Sequence, residues 1–197
     1  MGGQDIRSRS PGRPRDDSAA PALLEATRKL VVRSGYGAVS IAEIAAEAGV
    51  ARQTLYRRWP SKADLVLETF FVHAGTAPVN MDAPLEQVLE RFLCSMFAFL
   101  ERDGPAVRSL IASAQNDADF LQSLRSRFVL PRAQIVRDLL EHAARRGEVA
   151  AEADLALAVD VFYGAFWYRL LLGETLDAGV ARRLARFIVA ALTAPSV

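Results

Sequence analysis

Arg52, Gln53, Thr54, Tyr56 and Arg57 fall within six consecutive positions, and side chains of these types read or grip a nucleic acid. A glutamine amide can pair with adenine through two hydrogen bonds, and an arginine fork can do the same with guanine. A threonine methyl can lie against the thymine methyl, and the Tyr56 hydroxyl can bond a phosphate. Lys62 follows in the first turn of a further predicted helix, where its charge meets the positive end of the helix dipole. A phosphate bound there would draw on the lysine and the free amides together. Other chemistry has little to work with. Two histidines, His73 and His142, and one cysteine, Cys94, give neither a nucleophile–base spacing nor a metal-ligand cluster. No catalytic residue, metal ligand or cofactor is assigned.

Residues of this kind must stand on a helix that is held by its other face. Ser40-Ile41-Ala42-Glu43 reads as a capping box, and Ile41, Ile44, Ala45 and Ala48 follow at the spacing of one buried helical face. Gly49 ends that helix, and a second short one is predicted over Arg52–Arg58, stopped by Pro60. Two short helices crossing closely need small residues at the crossing, which Ala45 and Gly49 supply. Val50, Leu55 and Trp59 then point into a small core, and Arg52, Gln53, Thr54, Tyr56 and Arg57 face outward. The pattern is a helix-turn-helix whose second helix fits the major groove. The alternative is an ordinary helix pair with a solvated polar face. The small residues, the Ser40–Glu43 box, a second capping arrangement at Ser61-Lys62-Ala63-Asp64 and the local charge weigh against it.

Ile44-Ala45-Ala46-Glu47-Ala48-Gly49-Val50 followed by Thr54-Leu55-Tyr56-Arg57-Arg58-Trp59-Pro60-Ser61-Lys62 resembles the DNA-binding signature of the tetracycline-repressor (TetR) family, over residues 20 to 66. The resemblance implies base or nearby contacts for Arg52, Gln53 and Thr54, and phosphate contacts for Ser40, Tyr56 and Lys62. Ala51 departs from the Ser, Thr or Gly of many relatives, so the reading helix lacks a side-chain cap worth about 1 kcal/mol.

Charge is divided along the chain. Met1–Lys62 holds 11 Lys and Arg against 6 Asp and Glu, a balance of +5. The remainder holds 13 against 17, and the whole chain is +1. A basic first third suggests a polyanion partner, double-stranded DNA. Within residues 1–16, read as a flexible arm, Arg13 and Arg15 can enter a narrow minor groove; a plain disordered tail is the competing reading. Met1–Pro21 has no apolar run after its charges, and with a single cysteine the chain is expected in the cytoplasm.

Helical spacing recurs throughout and strand alternation is absent, so an all-α fold is predicted. The expected domains are the arm, a DNA-binding domain over 17–64 and a ligand-binding and dimerisation domain over 65–197. A first helix is expected from Asp17 or Ser18 as cap to Gly35, with Leu23, Ala26, Leu30 and Val31 along one stripe. After the two helices already placed, one from Ser61 runs to about Gly75. Others follow at roughly 84–102, 105–116, 117–128, 131–146, 154–173 and 177–193, with Gly104-Pro105, Pro131, Gly147 and Gly173 as breaks. Leu155–Leu172 is the most apolar stretch, but Asp160, Gly164 and Arg169 interrupt it, and a covered helix rather than a membrane span is expected.

That helix and the last one, through Leu155, Val159, Leu170, Val180, Leu184, Phe187, Ile188 and Leu192, could pair with their copies in a homodimer or pack inside a monomer. Phe70, Phe71, Phe92, Met96, Phe97, Phe120, Phe128, Phe162, Tyr163, Phe166 and Trp167 could line a pocket or form solid core. The resemblance implies the dimer and a small-molecule effector site between the central helices. The effector would be largely apolar, neither strongly charged nor metal-bound, and its binding would move the helix that starts at Ser61. A DNA-binding protein without an effector and a small helical enzyme are the alternatives.

Overall fold

The computed structural model describes residues 19–71 and 80–193, and among these every regular element is helical. α1 (Ala19–Ser34) buries Leu23, Ala26, Leu30 and Val31 along one stripe. It ends at Gly35, whose φ of +79° suits a residue without a Cβ. α2 (Ile41–Glu47) and α3 (Arg52–Arg58) form the predicted pair, and α4 (Lys62–Phe71) leads away from them. The predicted start of α1 at Asp17 or Ser18 and the stretch of α4 toward Gly75 lie outside the described residues, as do Arg13, Arg15 and His73.

The body differs from the sequence reading at two places. Gly104-Pro105 does not end a helix: α5 runs unbroken from Leu85 to Ala114 with Pro105 inside it. Asp103, Gly104, Ala106, Val107 and Leu110 are all buried around the proline, so packing on both sides holds the helix across the missing N–H. Pro131 likewise breaks nothing. α6 (Ala118–Leu124) passes through a five-residue π turn, Arg125–Val129, into α7 (Leu130–Arg145). α8 (Leu155–Leu172) and α9 (Ala178–Thr193) complete the chain.

One hydrophobic cluster runs from Leu23 in α1 to Leu192 in α9. α5 packs mainly on α9, α7 on α8, and α1 on α4. Polar ties cross the same boundary. Buried Asp103 pairs with Arg28 of α1 and with Arg102, and Tyr36 stacks on Phe120 of α6 with ring centroids 4.0 Å apart. The expected domain boundary at 64/65 therefore falls inside α4, which belongs to both cores.

α8 was expected to be covered all round. By length and composition it could cross a membrane, yet only 28% of it is buried in the single chain. Leu157, Tyr168, Leu171 and Leu172 are exposed, and Phe187 of α9 is exposed as well.

Candidate nucleic-acid interface and central cavity

α3 is fixed from below and from its far end. Leu55 is fully buried and Trp59 nearly so. The Trp59 indole donates to Glu68 of α4 at 2.8 Å, and Arg58 pairs with the other oxygen of the same carboxylate at 3.2 Å. At the near end Gly49 turns the chain with φ +65°, and Val50 N–H donates to the Ala45 carbonyl. The Ser40–Glu43 capping box forms with both reciprocal hydrogen bonds. These bonds hold the Glu43 carboxyl below its usual range. Ala51 caps α3 with no side-chain bond, as its type requires.

Arg52, Gln53, Tyr56 and Arg57 are exposed, and Thr54 is half-buried. Among the described residues the first four make no hydrogen bond or ion pair, so their polar groups point to solvent. Ser40 is exposed too, but its hydroxyl already donates to Glu43. Lys62 is more enclosed than expected. It donates to the carbonyls of Tyr36 and Val39, each at 3.0 Å, with its ammonium 4.0 Å from the Tyr36 ring centroid. Burial pulls its pKa down. The lysine thus clamps the α1–α2 connection to the start of α4, which spacing alone did not reveal.

Ser61 and Asp64 cap α4 reciprocally: Ser61 N–H donates to the carboxylate, and Asp64 N–H to the Ser61 hydroxyl. The second Asp64 oxygen pairs with Arg127 of the π turn at 2.8 Å.

Between α5, the π turn, α7 and α8 lies a cavity of about 20 Å³, room for roughly one water. Six of the sequence-assigned residues line it: Phe92, Met96, Phe128, Tyr163, Phe166 and Trp167. Phe71 stands behind the wall, stacked on Phe128 at 3.7 Å, and Phe162 packs behind Phe92 and Tyr163. The other three assigned aromatics do not line it. Phe70 lies under the Arg28 guanidinium, Phe120 stacks on Tyr36, and Phe97 packs edge-on against Phe166 from outside. Phe99, Leu100, Val129 and Arg132 also line the cavity; the sequence offers Phe99 among its candidate aromatics and gives no sign of the other three. An aromatic's type shows that it is buried, not which wall it joins.

Arg132 carries the polar chemistry of that wall. It donates to the Phe71 carbonyl at the end of α4, and its guanidinium lies 4.1 Å from the Phe128 ring centroid. Burial lowers its pKa to about 10. The Tyr163 hydroxyl donates to the Arg132 backbone carbonyl at 2.7 Å, and burial raises the phenol's pKa.

The assigned pairing residues also need correction. Val180, Ile188 and Leu192 of α9 are buried in the chain's own core, because α9 packs directly on α5, and Val159 and Leu170 of α8 are buried there as well. Leu155 and Leu184 are half-buried, and Phe187 alone of that set is fully exposed. The open apolar surface instead follows Leu157, Val161, Gly164, Tyr168 and Leu171, with Leu172 and Phe187 beside it.

Comparison with known proteins covers both halves. The family model for bacterial regulatory proteins of the tetR family matches residues 23–69, and that for the tetracyclin repressor-like C-terminal domain matches residues 83–188. An uncharacterized HTH-type transcriptional regulator of Bacillus subtilis, YdeS, is 31% identical over 176 residues, 88% of this chain and 89% of that protein. The DNA-binding transcriptional repressor TetR of Mycobacteroides abscessus is 27% identical, over 92% of this chain and 97% of its own length. Among solved structures, the TetR family transcription regulator SCO0332 superimposes with a TM-score of 0.67 at 24% identity, covering 91% of this chain and all of its own.

Proposed function

The chain belongs to the TetR family of transcriptional regulators and is no enzyme, and from that premise we propose a homodimeric, effector-responsive repressor that reads a palindromic operator. The observation that carries the reading is α3 itself. Leu55 and Trp59 hold it while Arg52, Gln53, Tyr56 and Arg57 face solvent. Arg52, Gln53 and Thr54 would meet base edges, with Thr54 the least reachable because it is half-buried. Tyr56, Arg57, Ser40 and the third N–H of Lys62 would meet phosphates, and Arg13 and Arg15 the minor groove.

The dimer reading rests on the exposed stripe of α8. Its spacing is that of one helix face, and a Cβ at Gly164 would meet nothing within 4 Å, leaving room for a close approach at mid-stripe. A face this apolar needs a cover. Asp160 and Arg169 on the same helix favour a second copy over lipid. The effector would enter at the central cavity, and the regulator would act in the cytoplasm, where its operator lies.

Selection of duplexes from a random pool by the purified protein tests the reading. The recovered sites should be palindromes with half-site centres about 34–36 Å apart, or a multiple of that. Arg52→Ala and Gln53→Ala should each lose about 1–3 kcal/mol of discrimination at one base position, with helicity unchanged. Unaltered base preference in both variants would remove α3 as the reading element.

A further inference from the structure

Resting on the effector reading of the central cavity, this inference concerns what that cavity selects. Among the described residues Arg132 is the one charged side chain in a lining otherwise made of aromatic, aliphatic and methionine side chains. The neighbouring phenol of Tyr163 is already spent on the Arg132 backbone. At about 20 Å³ the space admits no organic molecule unless a wall moves. The wall formed by Phe128 and Val129 belongs to the π turn, an element that recurs at functional sites.

The π turn and the start of α7 grip α4 at two points. Arg127 of the π turn holds Asp64 in the first turn of α4, and Arg132 of α7 holds the Phe71 carbonyl, at the last described residue of α4. Phe128 stacks on Phe71. α4 in turn carries Glu68, which fixes Trp59 and Arg58 at the end of the reading helix. Whatever displaces Phe128 or engages Arg132 therefore pulls on the helix that orients α3.

We propose that the effector is an amphiphile with an apolar body and one anionic, carboxylate-like end, and that this end takes Arg132 from the Phe71 carbonyl and loosens α4 around Phe71. A carboxylate can accept two parallel, charge-assisted hydrogen bonds from a guanidinium, whereas the peptide carbonyl is a neutral acceptor. In an apolar wall that difference favours the exchange. A neutral molecule of the same shape gains no such advantage.

The test is calorimetric titration of the full chain with straight-chain carboxylates from hexanoate to dodecanoate, each beside the primary alcohol of equal length. Hydrogen exchange is followed at the α4 amides. The best-fitting acid should bind about tenfold or more tightly than its alcohol, and exchange at residues 68–71 should rise with the acid. In Arg132→Met the acid should fall to the alcohol's affinity and leave α4 exchange unchanged, while Arg132→Lys should keep part of the preference. Equal binding of acid and alcohol to the wild-type chain would overturn the anionic end and leave the cavity as an effector site. An acid preference that survives Arg132→Met would overturn the role of Arg132. Binding of neither series at any length would overturn both the proposal and the effector reading. Should Arg132→Met fail to fold, the wild-type acid–alcohol pairs and the lysine variant decide.

Discussion

Tyr36 and Lys62 meet in one contact, and burial shifts their titrations in opposite directions. Burial, reinforced by Asp117 and Asp64, raises the Tyr36 phenol from 10.0 to about 12. Burial lowers the Lys62 ammonium. The unfolded chain gives up the tyrosine proton near pH 10 and the folded chain only near pH 12. The tyrosine's contribution to stability is thus complete below pH 10 and lost as pH climbs through about 12. Lys62 acts with the other sign: the folded chain releases its proton first, so stability gains as pH rises toward the lysine's ordinary 10.5. Arg132, lowered to about 10, works in the same sense as Lys62, and the raised Tyr163 in the sense of Tyr36. Absolute curves would blend these contributions, whereas a difference curve separates one. Urea midpoints of the wild type and Tyr36→Phe, measured from neutrality to pH 12, should converge as pH rises above 10. A constant gap across that range would show that the phenol titrates normally in the folded chain.

At the scale of elements, what was legible depended on how local the determinant is. The Ser40–Glu43 box, the Gly49 turn and the span Arg52–Arg58 could all be read in sequence, because each is settled by residues within one or two turns. Leu55 and Trp59 followed from the same short window. The cavity was legible only in part, since α5, the π turn, α7 and α8 bring its walls together from 76 positions of chain between Phe92 and Trp167. Nothing in local spacing separates Phe128, which lines it, from Phe120, which stacks on Tyr36 instead. The π turn also leaves no compositional mark. α5 is the clearest case of tertiary packing overriding a local signal. Pro105 lacks an N–H for the Glu101 carbonyl and crowds it, at a cost of up to about 3 kcal/mol, yet Asp103, Ala106, Val107 and Leu110 are buried around it. Pro105→Ala should restore the bond and stabilise the chain by about 1 kcal/mol or more in chemical denaturation, net of the freedom regained by the unfolded chain. A loss of stability would show that the ring's restraint on the unfolded chain outweighs the backbone it disrupts.

The whole molecule is tied together more closely than a reading head hinged on a body. Arg28–Asp103, Arg127–Asp64 and the Tyr36–Phe120 stack cross between the two halves, the Arg132–Phe71 bond ties α7 to α4, and the hydrophobic cluster is continuous through α4. Asp103 is almost wholly buried, so separating α1 from α5 would break a largely enclosed ion pair with Arg28. The two halves should therefore unfold as one cooperative unit. The two tryptophans allow the test, since Trp59 closes the DNA-binding core and Trp167 lines the cavity. In Trp59→Phe and in Trp167→Phe, the remaining indole's fluorescence and the helical circular dichroism should share one urea midpoint within each variant. The midpoints of the two variants can differ, because each substitution has its own cost. If the Trp59 signal in Trp167→Phe is lost before the helicity, the reading head melts alone. The ties across α4 would then be too weak to carry a change at the cavity to α3 by any route except local unfolding.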